Sequence, residues 1–206
     1  MFALVESGSI TKMLNGNKGI TIGDIQYPAD IFTKWSESEL NAINIYKVET
    51  DLSNFKSIEW YNNTNLSYAY DSSSKKVKAT YGTATAKPHA DITYTNTDKS
   101  NGDIPTGKDV GDVKQEGLKT IKKRFINDQC AQILAPSDWM YIKAGEEGGT
   151  MDSGWKTWRA SVRTKCNEMQ TAIDSAADTA AIQTLFTYTT KDGVTSRPLG
   201  EFPVKE

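Results

Sequence analysis

The spacing of apolar residues changes part-way along the chain. Up to about Tyr81 they alternate in short runs separated by turn residues, the period-two habit of half-buried strands. Runs at 2–6 and 9–13 flank Ser7-Gly8, and runs at 19–22 and 25–27 flank Gly23-Asp24, so two hairpins are predicted before Pro28 ends the series. Ser36 and Glu39 have the spacing of a capping box ahead of Leu40, which predicts a short helix over 37–44 and a return to strand at 45–48. After Trp60-Tyr61, the alternating runs 66–70 and 76–81 predict a further hairpin, with Tyr68 and Tyr70 facing Val77, Ala79 and Tyr81.

From Val113 the steps become three and four. Leu118, Ile121, Phe125, Cys130 and Ile133 mark the apolar face of one helix. Trp155, Trp158, Val162, Cys166, Met169 and Ile173 form a stripe along a second, over 154–176. Between them, Pro136 is expected to stop the first helix, and Ser137 or Asp138 to cap a new one. Glycines at 145–149 make a loop, and Asp152 or Ser153 caps the long helix. Asp178 caps a last short helix carrying Ile182 and Leu185. The unit reads as helix, corner with a buried tryptophan (Trp139), glycine loop and second helix. It is built to pack, on itself or on a partner.

Pro88, Gly102, Pro105, Gly107 and Gly111 crowd the stretch between these patterns. The expected fold is therefore α+β: a β-rich module over 1–95 (hairpins plus one short helix), a glycine- and proline-rich linker at 96–112, a helical hairpin module over 113–187 and an extended tail at 188–206. The tail contains Pro198, Pro203 and few apolar residues. It is expected to be ordered only on a partner, with a hairpin around Asp192-Gly193 adding to a neighbouring sheet edge and Phe202 as its anchor.

Composition narrows the function. A hydrophobic share of 37% suits a modest core with polar strands. A net charge of −2 argues against a nucleic-acid binder, and the basic cluster at 119–124 reads as a solvated helix face. No apolar run is long enough for a membrane span, and the first residues carry no signal-like pattern, so a soluble, cytoplasmically made protein is expected. Cys130 and Cys166 fall on apolar helix sides as small hydrophobes. Two cysteines and one histidine, His89, lack zinc-ligand spacing; the calcium-like run 98–103 has its glycine one place early for an EF-hand. With no nucleophile elbow and no glycine-rich phosphate loop either, no catalytic residue, metal or cofactor is expected, and the chain reads as a non-enzyme.

One signature goes further. Ile133-Leu134-Ala135-Pro136-Ser137-Asp138-Trp139-Met140, followed downstream by Trp155-Lys156-Thr157-Trp158-Arg159-Ala160-Ser161-Val162-Arg163, resembles the C-terminal module of tailed-bacteriophage tail assembly chaperones, also called tail-fibre assembly proteins. That module has a leucine–leucine, x, threonine/serine–aspartate–tryptophan corner, then a tryptophan, an aromatic–arginine pair and another arginine on the next helix. Ser137, Asp138, Trp139, Trp155, Trp158, Arg159 and Arg163 match it. The N-terminal stretch, with Trp35 before a Ser/Glu-rich helix and the strand 45–48, is similar to the opening module of such proteins. The hairpin at 66–81, the glycine-rich stretch and the C-terminal continuation lie outside the pattern.

The resemblance implies a tail protein associated with the fibre, as an assembly chaperone or as a bound virion subunit. Its place would be the virion tail, or the host cytoplasm during assembly. Its partner would be the tail fibre or another tail protein, with self-association as a further option. Trp139, Trp155 and Trp158 would bury aromatic area where two helices meet, or anchor the partner. Arg159 and Arg163, four apart on one helix face, suit a partner's carboxylates or carbonyls. The alternative is a receptor- or carbohydrate-contacting adhesin module using exposed Tyr and Trp over 58–81.

Overall fold

A computed structural model describes residues 1–205, and the architecture is α+β. The chain divides into two compact units, Met1–Thr85 and Ala86–Glu206.

The first unit contains β1 (Phe2–Glu6), β2 (Ser9–Leu14), β3 (Ile20–Ile22), β4 (Ile25–Tyr27), α1 (Ile31–Lys34), α2 (Glu37–Ala42), β5 (Ile45–Asp51), β6 (Tyr61–Asn62), β7 (Leu66–Asp71) and β8 (Lys76–Tyr81); β9 (Thr85–Ala86) spans the division. The expected hairpins are present. β1 and β2 are joined by Ser7 and Gly8 at φ 51° and 80°, the doubly positive turn whose twist matches antiparallel strands. The capping box closes as predicted, with Glu39 N–H donating to Ser36 Oγ and Ser36 N–H to Glu39 Oε2.

Five strands form one sheet in the order β2-β1-β5-β8-β7, antiparallel except where β5 runs parallel to β8. β1 is buried on both faces, which is why its sequence does not alternate. Leu4 joins Leu14, Ile20, Ile31, Phe32, Leu40 and Ile45 under α1 and α2, while Ala3 and Val5 join Tyr46 and Val77 on the other side. Each such aliphatic side chain contributes roughly 1.5–3 kcal/mol on full burial. Tyr68 and Tyr70 oppose Ala79 and Val77, as the alternation predicted. The aromatics of 58–81 are not simply displayed, however. Trp60 is 5% exposed, and Tyr70 packs against Tyr46 with ring centroids 4.6 Å apart.

The second unit contains β10 (Ile92–Thr93), α3 (Asn96–Asn101), β11 (Val113–Gln115), α4 (Leu118–Leu134), a 3-10 turn at Ala135–Ser137, α5 (Asp138–Glu146), α6 (Ser153–Ser175), α7 (Thr179–Phe186), β12 (Thr189–Lys191) and β13 (Val194–Ser196). The stretch 96–112 is not a free linker. Its Thr95–Asp98 capping box starts α3, Gly102 ends it in the left-handed conformation, and β10 pairs with β11 around it. In the calcium-like run, Asp98 is engaged by Thr95 and by Lys114 at 2.5 Å; Lys114 first, then Thr95, holds its carboxyl well below the usual range.

Upstream residues are built into the helical unit as well. α4 begins at Gly117, which offers no capping side chain, so residues 88–91 supply the cap. Leu118 and Lys119 N–H donate to the Pro88 and His89 carbonyls at 2.9 Å, and Gly117 N–H donates to Asp91 Oδ1 at 2.7 Å. A Cβ on Gly117 would lie 2.3 Å from the Ala90 carbonyl, so only glycine fits this approach. Buried Thr179, at the head of α7, donates to the Lys87 carbonyl at 2.6 Å. These bonds carry the division to 85/86, ahead of the expected linker.

The helical core joins Ile126, Cys130, Val162, Cys166, Met169, Ile173 and Leu199. The stripe on α6 is the predicted one. On α4 the buried positions are Leu118, Ile126 and Cys130, while Ile121 and Phe125, expected inside, are exposed.

Candidate interaction site

The site is built at the junction of α4, α5 and α6. Pro136 does not break α4 sharply: the chain tightens through the 3-10 turn and continues into α5. Ser137 does not cap α5 with its side chain, as had been expected. It is 1% exposed, and its hydroxyl donates back to the Leu134 carbonyl at 2.8 Å.

Arg159 explains this geometry. From α6 its Nη1 donates to the Leu134 carbonyl at 2.8 Å and to Ser137 Oγ, while Nη2 meets Asp138 Oδ1 at 2.5 Å. The guanidinium fork thus ties the end of α4, the turn and the start of α5 to one position of α6, a geometry that lysine's single ammonium cannot reproduce. Arg159 is 12% exposed at its side chain, so its charge is satisfied within the chain and is not offered to a partner. Arg163, one turn further, lies exposed outside this clamp.

The tryptophans divide. Trp158 is half-buried against the helical core, and its indole N–H donates to the Pro203 carbonyl at 3.0 Å. Trp155 stands edge-on to Trp158 with centroids 5.5 Å apart, and the Lys205 ammonium lies 5.4 Å from its ring. Asp152 is the cap of α6, accepting from Gly154 and Trp155 N–H. Trp139, the expected buried corner residue, is instead 55% exposed. Tyr141 and Ile142 are exposed beside it at 67% and 61%, and α5 has no buried residue. A crevice of about 280 Å³ lies between α5 and the start of α6, lined by Trp139, Met140, Ala144, Met151 and Trp155 among others but not by Tyr141 or Ile142. The sequence singled out Trp139 but expected it inside, and it missed Tyr141 and Ile142; the signal was an apolar run without helical periodicity.

The tail is also corrected. Leu199 is 2% exposed within the helical core and its N–H donates to the Leu185 carbonyl at 3.1 Å; Phe202 packs on the same cluster. Tyr188 donates to Glu201 at 2.6 Å, and Arg197 pairs with Glu201 at 2.9 Å. β12 and β13 do form the hairpin around Asp192-Gly193, but the segment packs on its own unit, and Phe202 lies against that unit's core. Enough apolar surface was present because the receiving helices already supplied the rest of the core.

Among the described residues no group of three or more His, Cys, Asp or Glu is placed to hold a metal ion, and no helix is long and apolar enough to cross a membrane. No family model matches the chain, and neither the curated proteins nor the solved structures yielded a match.

Proposed function

We propose that this chain is a non-enzymatic protein of a tailed-bacteriophage tail, associated with the fibre as an assembly chaperone or as a bound virion subunit. One observation supports this beyond the sequence resemblance: the clamp of Arg159 on Leu134, Ser137 and Asp138 fixes α5 while Trp139, Tyr141 and Ile142 face outward. The matching corner residues are spent on holding a helix whose Trp139, Tyr141 and Ile142 side chains stay more than half exposed. Exposed aromatic and aliphatic anchors on a rigid element are what a protein-binding surface requires. An adhesin role for 58–81 has less support, since Trp60 is buried and Tyr70 stacks on Tyr46.

The test is affinity capture of the chain co-expressed with the tail proteins of its own phage, alongside mass spectrometry of purified virions. Capture of the fibre with the chain present at stoichiometric copy number identifies a virion subunit. Capture with the chain absent from virions identifies a chaperone. No association with any tail protein rejects the proposal.

A further inference from the structure

α4 and α6 pack antiparallel, and contacts along their length set the register. Lys123 pairs with Asp174 at 2.8 Å, Gln170 donates to Asn127 Oδ1 at 2.8 Å, and Arg159 reaches the Leu134 carbonyl at 2.8 Å. Between the first two contacts four residues up α4 match four down α6, and the long Arg159 side chain reaches on to the third, which puts Cys166 opposite the turn 127–131. Cys130 lies in that turn. Cys166 Sγ is 3.5 Å from Asn127 Oδ1, and Asn127 is one helical turn from Cys130 on the same face. Both cysteines are free, 7% and 5% exposed, and members of one core cluster. The two thiols thus share one interface at one level of the helix pair.

We propose that Cys130 and Cys166 are an oxidisable dithiol that closes into a disulfide between α4 and α6. The bond would enclose the 3-10 turn, α5 and the glycine loop in one covalent ring, the whole surface that carries Trp139, Tyr141 and Ile142. The oxidant is a small disulfide such as oxidised glutathione. One cysteine thiolate attacks it, releasing one glutathione thiolate and leaving a mixed disulfide. The second cysteine thiolate then attacks the protein sulfur of that bond and releases the second. Two protons leave the protein, the cysteines are oxidised to one S–S bond, and the oxidant is reduced to two thiols. Burial, then the adjacent Cys166 thiol, pushes the Cys130 thiol up, with Arg163 offsetting part of this, so the reaction is slow at neutral pH and faster in alkali.

The experiment treats the full-length protein with oxidised glutathione, then measures thiols in denaturant and intact mass without reductant. The expected result is loss of both thiols together, a mass lower by two hydrogens, a monomeric product with a raised Tm, and full reversal by reductant. Cys130→Ser should give at most a glutathione adduct on Cys166; if that variant does not fold, the wild-type mass measurement decides alone. Two persisting thiols after prolonged alkaline exposure, a stable mixed disulfide in the wild type, or disulfide-linked dimers would overturn the proposal.

Discussion

Arg159 Nη2 meets Asp138 Oδ1 at 2.5 Å, yet this ion pair is not what makes Arg159 matter. Asp138 is 57% exposed at its side chain, so water screens the pair. The weight rests on the two bonds from Nη1 to buried Ser137 and to the Leu134 carbonyl: when the arginine goes, Ser137 Oγ loses its donor and the carbonyl keeps only the Ser137 hydroxyl. Arg159→Ala should cost about 3 kcal/mol in chemical denaturation, and Arg159→Lys should recover less than half. Asp138→Asn should change stability by no more than about 0.5 kcal/mol.

The tail should behave as part of the fold. Leu199→Ala removes a side chain 2% exposed in the helical core and should cost about 3 kcal/mol. Hydrogen exchange on the free protein should show the Leu199 amide, bonded to the Leu185 carbonyl, as protected as the amides of α7. A freely exchanging Leu199 would contradict this packing.

Gly117→Ala places a methyl 2.3 Å from the Ala90 carbonyl, backbone that cannot rotate away. The segment 88–91 must separate from the start of α4, and the cap from Pro88, His89 and Asp91 is lost. A loss of about 3 kcal/mol is expected, with faster exchange at Leu118 and Lys119 first.

That cap also predicts a pH dependence. Gly117 N–H first, then the Thr120 hydroxyl, lowers the Asp91 pKa from its ordinary value. A carboxylate depressed in the folded state adds stability that is present above the unfolded value, about 3.9, and is lost as pH falls through the folded one. Asp91→Asn should therefore be less stable than wild type at neutral pH, and the difference should shrink below about pH 4. Thermal melts from neutral to acid pH check the sign.

Local chemistry carried most of what could be foreseen. Ser7-Gly8, the Ser36–Glu39 box and the α6 stripe are short-range signals, and each formed where expected. The α4 face was misread because its buried row passes through Lys122, whose ammonium lies 5.1 Å from the Phe186 ring; a reading by apolar residues alone slides onto Ile121 and Phe125. The parallel β5–β8 pair and the cap on α4 by 88–91 join residues far apart in the chain, and spacing is silent on both. In the site, the residues Ser137, Asp138 and Arg159 were legible, but not that Arg159 turns inward and Trp139 outward.

The most direct test of the account is the pair Trp139→Ala and Ile142→Ser, made together and measured twice. Both residues are more than half exposed, so the free protein should melt within about 0.5 kcal/mol of wild type, and capture of the tail-fibre partner should fall at least tenfold. Unchanged capture, or a loss that follows a lowered melting temperature, would contradict the claim that α5 is the partner-binding surface.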